Sequence, residues 1–132
     1  MKELPKSTKV VVIGGGVAGT SCAYHLAKFG WKDVILLERD QLTSGTTWHA
    51  AGLLGQLGAS STITKIRKYS LDLYKELEKT TGLSTGMKQN GAITVASTKE
   101  RMQELLRQAT TAQLSEVEVE VLDHKRLKEL YP

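Results

Sequence analysis

An α/β architecture is what this sequence predicts: a β-α-β unit, incomplete as a sheet, followed by an α+β segment. Three observations carry that prediction. Lys9 to Ile13 is a short β-branched run, and the glycine-rich stretch Gly14-Gly15-Gly16-Val17-Ala18-Gly19 follows at once. A second apolar run, Val34 to Leu37, ends on Glu38. Unbroken apolar runs of this length read as strands buried on both faces, as in a parallel sheet. The expected division is 1–56 for the β-α-β portion and 57–132 for the segment after it.

Between the two runs, Val17 to Phe29 has helical spacing, with Ala18, Cys22, Leu26 and Ala27 on one stripe. Gly30 is the natural stop, because glycine takes the left-handed conformation after a helix without steric cost. On this reading Cys22 and Trp31 are packing residues, and His25 is a packed or surface residue of the helix. Residues 40–61 are rich in small and hydroxyl side chains and lack periodicity, apart from a short helical turn expected at Ala50 to Leu54. Thr62 to Thr80 reads as an amphipathic helix with Ile63, Ile66, Leu73, Tyr74 and Leu77 facing inward, closed by Gly82. Met87 to Ser97 predicts two short strands joined at Asn90-Gly91. Ser97 and Glu100 form a capping box for a helix through about Gln113. Glu116 to Leu122 alternates, with Val117, Val119 and Val121 on one face and Glu116, Glu118 and Glu120 on the other. That pattern predicts a half-exposed strand with a solvated acidic face. Asp123 caps a last short helix ending near Tyr131 and leaves His124 exposed.

Composition excludes several classes. The 132 residues make one domain by length, and the formal charge of +4 is spread among interspersed acids and bases. Lys65, Arg67 and Lys68 lack an interleaved aromatic pattern beyond Tyr69, so they read as a solvated helix face and not as a nucleic-acid site. No apolar run reaches membrane-spanning length. Cys22 is the only cysteine, so no intrachain disulfide can form, which fits a reducing compartment. The stretch Met1 to Lys9 is polar and acid-bearing, unlike a signal or transit peptide. Cytoplasm or mitochondrial matrix follows as the expected location. His25, His49 and His124 are too scattered for a metal site.

The glycine turn carries the first chemistry. Gly14 permits the tight exit from the strand, Gly16 leaves the backbone open to a pyrophosphate, and Gly19 allows close helix packing. The pyrophosphate is expected on free N–H groups at the positive helix end. Placed between a strand and a helix, and followed by an acid, this is a Rossmann-like dinucleotide fingerprint. Glu38 would accept from the ribose hydroxyls. A phosphate-binding P-loop is excluded, because Thr20 and Ser21 stand where its lysine is required.

The fingerprint does not separate nicotinamide from flavin cofactors. Ser44-Gly45-Thr46-Thr47-Trp48-His49-Ala50-Ala51-Gly52 bears on that choice. Its small residues let backbone approach a ligand, and Thr46 and Thr47 offer hydroxyls to phosphates or to a ribityl chain. His49 is open to four roles: structural residue, ligand-facing group, proton acceptor, or nucleophile that bonds a flavin.

The sequence resembles the dimethylglycine and sarcosine dehydrogenase family of flavoproteins. The matching stretches are 10–16, 23–28, Leu36-Leu37-Glu38-Arg39 and 42–53, with the Trp48-His49 pair as the most specific. Weaker likeness continues through Glu76-Leu77-Glu78, Thr81-Gly82, Gln89-Asn90-Gly91 and Leu130-Tyr131-Pro132. The resemblance implies FAD held by Gly14, Gly16, Gly19, Glu38, Arg39, Ser44, Thr46 and Thr47. It further implies covalent attachment of His49 to the flavin 8α carbon, which requires a neutral, oriented imidazole. The implied reaction is oxidation of N-methyl amines of glycine type, with hydride passing to the flavin and formaldehyde or a folate-bound one-carbon unit as product. Tetrahydrofolate belongs to the full-length family members only, and the electron acceptor stays open between an electron-transfer flavoprotein and oxygen. No catalytic residue is assigned. Family members are several times longer, so the expectation is a fragment, inactive alone, that carries the FAD-binding signature. Two alternatives stand beside it. One is a non-catalytic protein like the regulatory subunit of pyruvate dehydrogenase phosphatase, against which Trp48-His49 speaks. The other is an amino-acid oxidase with non-covalent FAD.

Overall fold

The computed structural model describes residues 5–132; residues 1–4 of the N-terminal stretch lie outside the described residues. The chain divides into two compact units, Met1–Leu53 and Leu54–Pro132.

The first unit contains β1 (Val10–Ile13), α1 (Val17–Lys28), β2 (Val34–Leu37) and a 3-10 turn at Thr46–His49. The strands pair in parallel, Val10 beside Val34 through Ile13 beside Leu37. This is the predicted β-α-β unit with a short two-stranded sheet. Gly14 leaves β1 at φ +101°, a conformation that only glycine adopts without strain. Its N–H still donates to Leu37 O at 2.8 Å, which extends the ladder by one bond. At the other end of the strands, Asp33 accepts from Lys9 N at 3.1 Å and from the Thr8 hydroxyl at 2.9 Å. α1 closes as predicted: Gly30 is left-handed at φ +86°, and the amides of Phe29, Gly30 and Trp31 return to carbonyls of the last turn.

α1 meets the sheet through a stripe that shares Leu26 with the predicted one and leaves the other three predicted residues exposed. A Cβ on Gly19 would collide with the Gly14 carbonyl and lie 3.5 Å from Val12 Cγ1. The packed face therefore runs through Gly19, Ala23 and Leu26, at i, i+4 and i+7. Ala18, Cys22 and Ala27 sit beside that stripe and are exposed, so Cys22 is not a buried packing residue. Two strands also cover little. Val11 and Ile13 point away from α1 and stay exposed, and Trp31 is exposed instead of packing under β2.

The second unit contains α2 (Ser61–Thr81), α3 (Lys99–Leu114) and α4 (His124–Leu130). Ser60 caps α2 by accepting from Ile63 N at 3.3 Å, and Gly82 ends it at φ +68°. The side chains buried here are Thr64, Leu71, Ala109, Ala112 and Val117. The inward stripe of α2 is thus Thr64, Lys68 and Leu71, while Ile63 and Ile66 are exposed and Leu73, Tyr74 and Leu77 half-buried. Polar groups turn inward because backbone requires them. Thr64 Oγ1 accepts from Gly58 N and donates to Ser60 O, each at 3.0 Å. Lys68 Nζ donates to Ser115 O at 2.9 Å and Glu116 O at 3.3 Å, the orphan carbonyls beyond α3. Lys68 is therefore half-buried, not part of a solvated face, and Glu116 Oε2 adds an ion pair at 3.6 Å.

Three further expectations are corrected. Thr98, not Ser97, caps α3, its Oγ1 accepting from Arg101 N at 3.2 Å. Residues 50–54 form no helical turn; the turn falls at Thr46–His49. Among the described residues neither 87–97 nor 116–122 forms a strand, since β1–β2 is the one ladder. Alternation supplies a strand's two faces, but a ladder also requires a partner in register. Residues 92–96 and 119–123 instead border a cavity of about 410 Å³ with Met102, Leu105 and Leu127. Asp123 does cap α4, accepting from Arg126 N at 2.7 Å. No helix of the described residues is long and apolar enough to cross a membrane.

Two substitutions test these contacts. Gly19→Ala is expected to destabilise the protein by roughly 1–3 kcal/mol in urea titration, the usual cost of overpacking. An unchanged midpoint would show that α1 does not lie against the turn. Lys68→Met removes the donor to the last carbonyls of α3 and is expected to lower stability by about 1 kcal/mol.

Candidate functional site

The site forms where β1 passes into α1. Gly16 is the N-cap of α1, with extended backbone and no side-chain cap. The first amides of a helix have no intrahelical acceptor, so they must be met from elsewhere. Later segments of the chain meet the first amide of the helix, Val17 N, and the Gly15 amide just before its N-cap. Glu38, one residue past β2, reaches back to accept from Gly15 N at 2.6 Å, and its other oxygen accepts from Asp40 N at 3.1 Å. Thr47, in the 3-10 turn, accepts from Val17 N at 2.9 Å through Oγ1. The amides of Ala18 and Gly19, next in the first turn of α1, sit at its positive end.

Close approach explains the glycines. A Cβ on Gly16 would lie 2.9 Å from Thr47 Oγ1, and a Cβ on Gly15 would lie 2.5 Å from Leu42 Cδ2 and 3.0 Å from Glu38 Cβ. Gly15 was not among the predicted site residues, yet it is buried, donates to Glu38, and accepts from Thr43 N at 3.0 Å. Its signal was present as the middle glycine of an unbroken run of three. Thr43 carried no such signal; it sits at φ +66°, unusual for a β-branched residue, and turns the chain toward the 44–49 stretch.

The Glu38 carboxyl is held below its ordinary value near 4.5, first by the Gly15 amide and then by the Asp40 amide. Each carboxylate oxygen has more than one acceptor site, so it can also receive a ribose hydroxyl. Arg39 is exposed beside it. Ser44 closes its own turn, its hydroxyl donating to Gln41 O at 2.8 Å, and Thr46 is exposed at the start of the 3-10 turn.

His49 ends that turn, exposed, with Nδ1 3.2 Å from Gly45 O. A carbonyl only accepts, so Nδ1 carries the proton in this pair. In the neutral ring the lone pair then sits on Nε2, facing away from the turn. Trp48 beside it is 79% exposed. The structure thus gathers Gly14, Gly16, Gly19, Glu38 and Thr47 around one turn. It carries Ser44, Thr46 and His49 on the loop that Thr47 docks. Among the described residues no three His, Cys, Asp or Glu side chains gather to hold a metal.

These residues fit an adenine dinucleotide. The turn lacks side chains where a pyrophosphate approaches, the helix presents amides to it, and the acid stands at the end of β2.

Residues 9–132 match the family described as FAD dependent oxidoreductase. The chain is 44% identical over 129 residues to 4-methylaminobutanoate oxidase (formaldehyde-forming) of Paenarthrobacter nicotinovorans, covering 98% of this chain and 16% of that protein. It is 45% identical over 132 residues to the mitochondrial sarcosine dehydrogenase of Homo sapiens, covering 99% and 14%. It is 40% identical over 129 residues to the mitochondrial pyruvate dehydrogenase phosphatase regulatory subunit of Mus musculus, covering 98% and 15%. The chain therefore spans 14–16% of the length of these relatives.

Glu38→Gln tests the turn's electrostatics. A carboxyl with a lowered folded pKa stabilises the fold above its unfolded value and loses that contribution as pH falls through the lowered one. The wild-type melting temperature is expected to exceed that of the variant near pH 7, and the two are expected to converge well below pH 4.5. A constant gap across that range would place the charge effect elsewhere.

Proposed function

Because the chain belongs to the FAD dependent oxidoreductase family, we propose that it supplies the FAD-binding segment for oxidation of N-methyl amino acids, with sarcosine or dimethylglycine as the substrate type. Residues 1–56 hold the cofactor and 57–132 lead toward the substrate portion. The reading rests above all on His49: it follows the glycine turn and Glu38, and its Nδ1 is engaged by Gly45 O.

In this reading Gly14, Gly16 and Gly19 let the pyrophosphate reach the first turn of α1. Glu38 receives the ribose hydroxyls, with Arg39 beside it, while Ser44 and Thr46 line the path toward the flavin. FAD, when bound, accepts the hydride equivalent from the N-methyl carbon of the substrate. His49 anchors the flavin. Its Nε2 would be the atom that bonds the 8α carbon of a bound flavin. Holding the Nδ1 proton on Gly45 O keeps the nucleophilic lone pair on Nε2. The reducing compartment read from the single cysteine, together with relatives named as mitochondrial, supports the matrix or the cytoplasm as location.

A second reading is a non-catalytic protein like the phosphatase regulatory subunit, to which the chain is 40% identical against 44–45% for the oxidoreductases. Acid denaturation of the flavin-loaded protein separates the readings. Yellow colour and flavin fluorescence are expected to stay with the precipitated polypeptide, and His49→Ala is expected to release them. Flavin released from the wild type would favour an oxidase with non-covalent FAD, and failure of the protein to load with flavin at all would favour the regulatory reading.

A further inference from the structure

We propose that Thr47 is a positioning residue: its hydroxyl docks the His49 turn onto the N-terminus of α1, and this docking sets the rate at which His49 bonds the flavin. The inference rests on the anchoring role proposed for His49. It assigns Thr47 a task beyond phosphate contact.

Four observations converge. Thr47 is the half-buried residue of the 3-10 turn, whereas Thr46, Trp48 and His49 are exposed. Its Oγ1 accepts from Val17 N at 2.9 Å, a bond spanning thirty residues of sequence. Gly16 makes room for that oxygen, since a Cβ there would lie 2.9 Å from it. The backbone of the same turn then passes the constraint on. Trp48 N donates to Gly45 O at 3.1 Å, and His49 Nδ1 shares that carbonyl at 3.2 Å. Thr47 and His49 are two residues apart in one short turn, so fixing the first restricts where the second can point.

An otherwise exposed loop has little else to hold it. Thr43 N to Gly15 O ties down the base of the loop, and beyond it the bonds from Ser44 to Gln41 and from Ala50 to Thr47 are local. Bond formation requires Nε2 held in a near-attack geometry, where a misplacement of about 1 Å costs on the order of a hundredfold. A hydroxyl that accepts from a fixed helix amide supplies that placement. Serine keeps the oxygen; valine keeps the shape and removes it.

The test follows linkage over time in intact apoprotein mixed with saturating FAD, reading acid-stable flavin fluorescence on the polypeptide. Thr47→Val is expected to slow attachment by roughly tenfold or more, and Thr47→Ser to stay within about twofold of wild type. Saturating FAD separates this from weakened binding. Amide hydrogen exchange of the apoprotein gives a reading without flavin: Val17 N–H is expected to lose protection in the valine variant and keep it in the serine variant. Should Thr47→Val fail to fold by circular dichroism, Thr47→Ala gives the same two readings. Equal attachment rates in wild type and the valine variant would overturn the assignment while leaving the His49 linkage intact. So would equal slowing by serine and valine, or Val17 protection that ignores the hydroxyl. Flavin released by acid from the wild type would overturn the linkage and this assignment together.

Discussion

The entry to α1 carries amide groups that the helix itself cannot satisfy, and the first unit brings acceptors to them. Amides at a helix start must be met from outside the helix. The chain answers from two distant points: Glu38 at the end of β2 and Thr47 in the loop beyond it. Each acceptor must come close, and each approach explains a glycine. Gly15 admits Glu38, and Gly16 admits Thr47. Gly19 answers a different demand, the backbone contact between α1 and the Gly14 carbonyl. The run of glycines is thus one residue type meeting three separate steric requirements. That is why a strand, a helix and a loop remote in sequence come together at this point.

The parts of the structure legible in the sequence were those decided locally. The two β-branched runs, the glycine turn, the Gly30 and Gly82 stops and the Asp123 cap all depend on a few adjacent residues, and all appear. The misread parts depend on partners. Alternation at 116–122 describes two faces but does not provide a neighbouring strand, and the stretch stays unpaired. The apolar stripe drawn through Ala18 and Cys22 overlooked that α1 meets its sheet at a glycine, which hydropathy does not mark. On α2, Ile63 and Ile66 are more apolar than Thr64 and Lys68, yet the polar pair faces inward because Gly58 N, Ser115 O and Glu116 O require partners there. Hydropathy ranks side chains by transfer from water; it does not see a backbone carbonyl waiting for a donor.

For the site, the residue types were readable and their wiring was not. The sequence pointed Glu38 to the ribose hydroxyls, and Thr46 and Thr47 to the phosphates or a ribityl chain. It could not show that Glu38 and Thr47 bond the protein's own amides, because that depends on the path of the loop after β2. Thr43 decides the path by taking a left-handed conformation, and no sequence rule calls for a threonine there. The family resemblance named His49, while the pairing of its Nδ1 with Gly45 O came only from the geometry.

The two acceptors, both within the first unit, differ in what they can also do. Glu38 is a charged group with two oxygens, each able to accept more than once, so it can bond Gly15 and a ribose hydroxyl together. Thr47 has one hydroxyl, and its Oγ1 already receives the Val17 amide. A charge at the end of β2 suits a group that must grip a polar ligand and hold a turn at once. A single neutral hydroxyl suits a group whose work is to hold the chain in place. The same reasoning divides the adenosine end of the site from the flavin end. In the proposed reading, backbone and carboxylate would bind directly at the first. At the second, His49 stands exposed on a short turn, and its aim would derive from the residue two places before it.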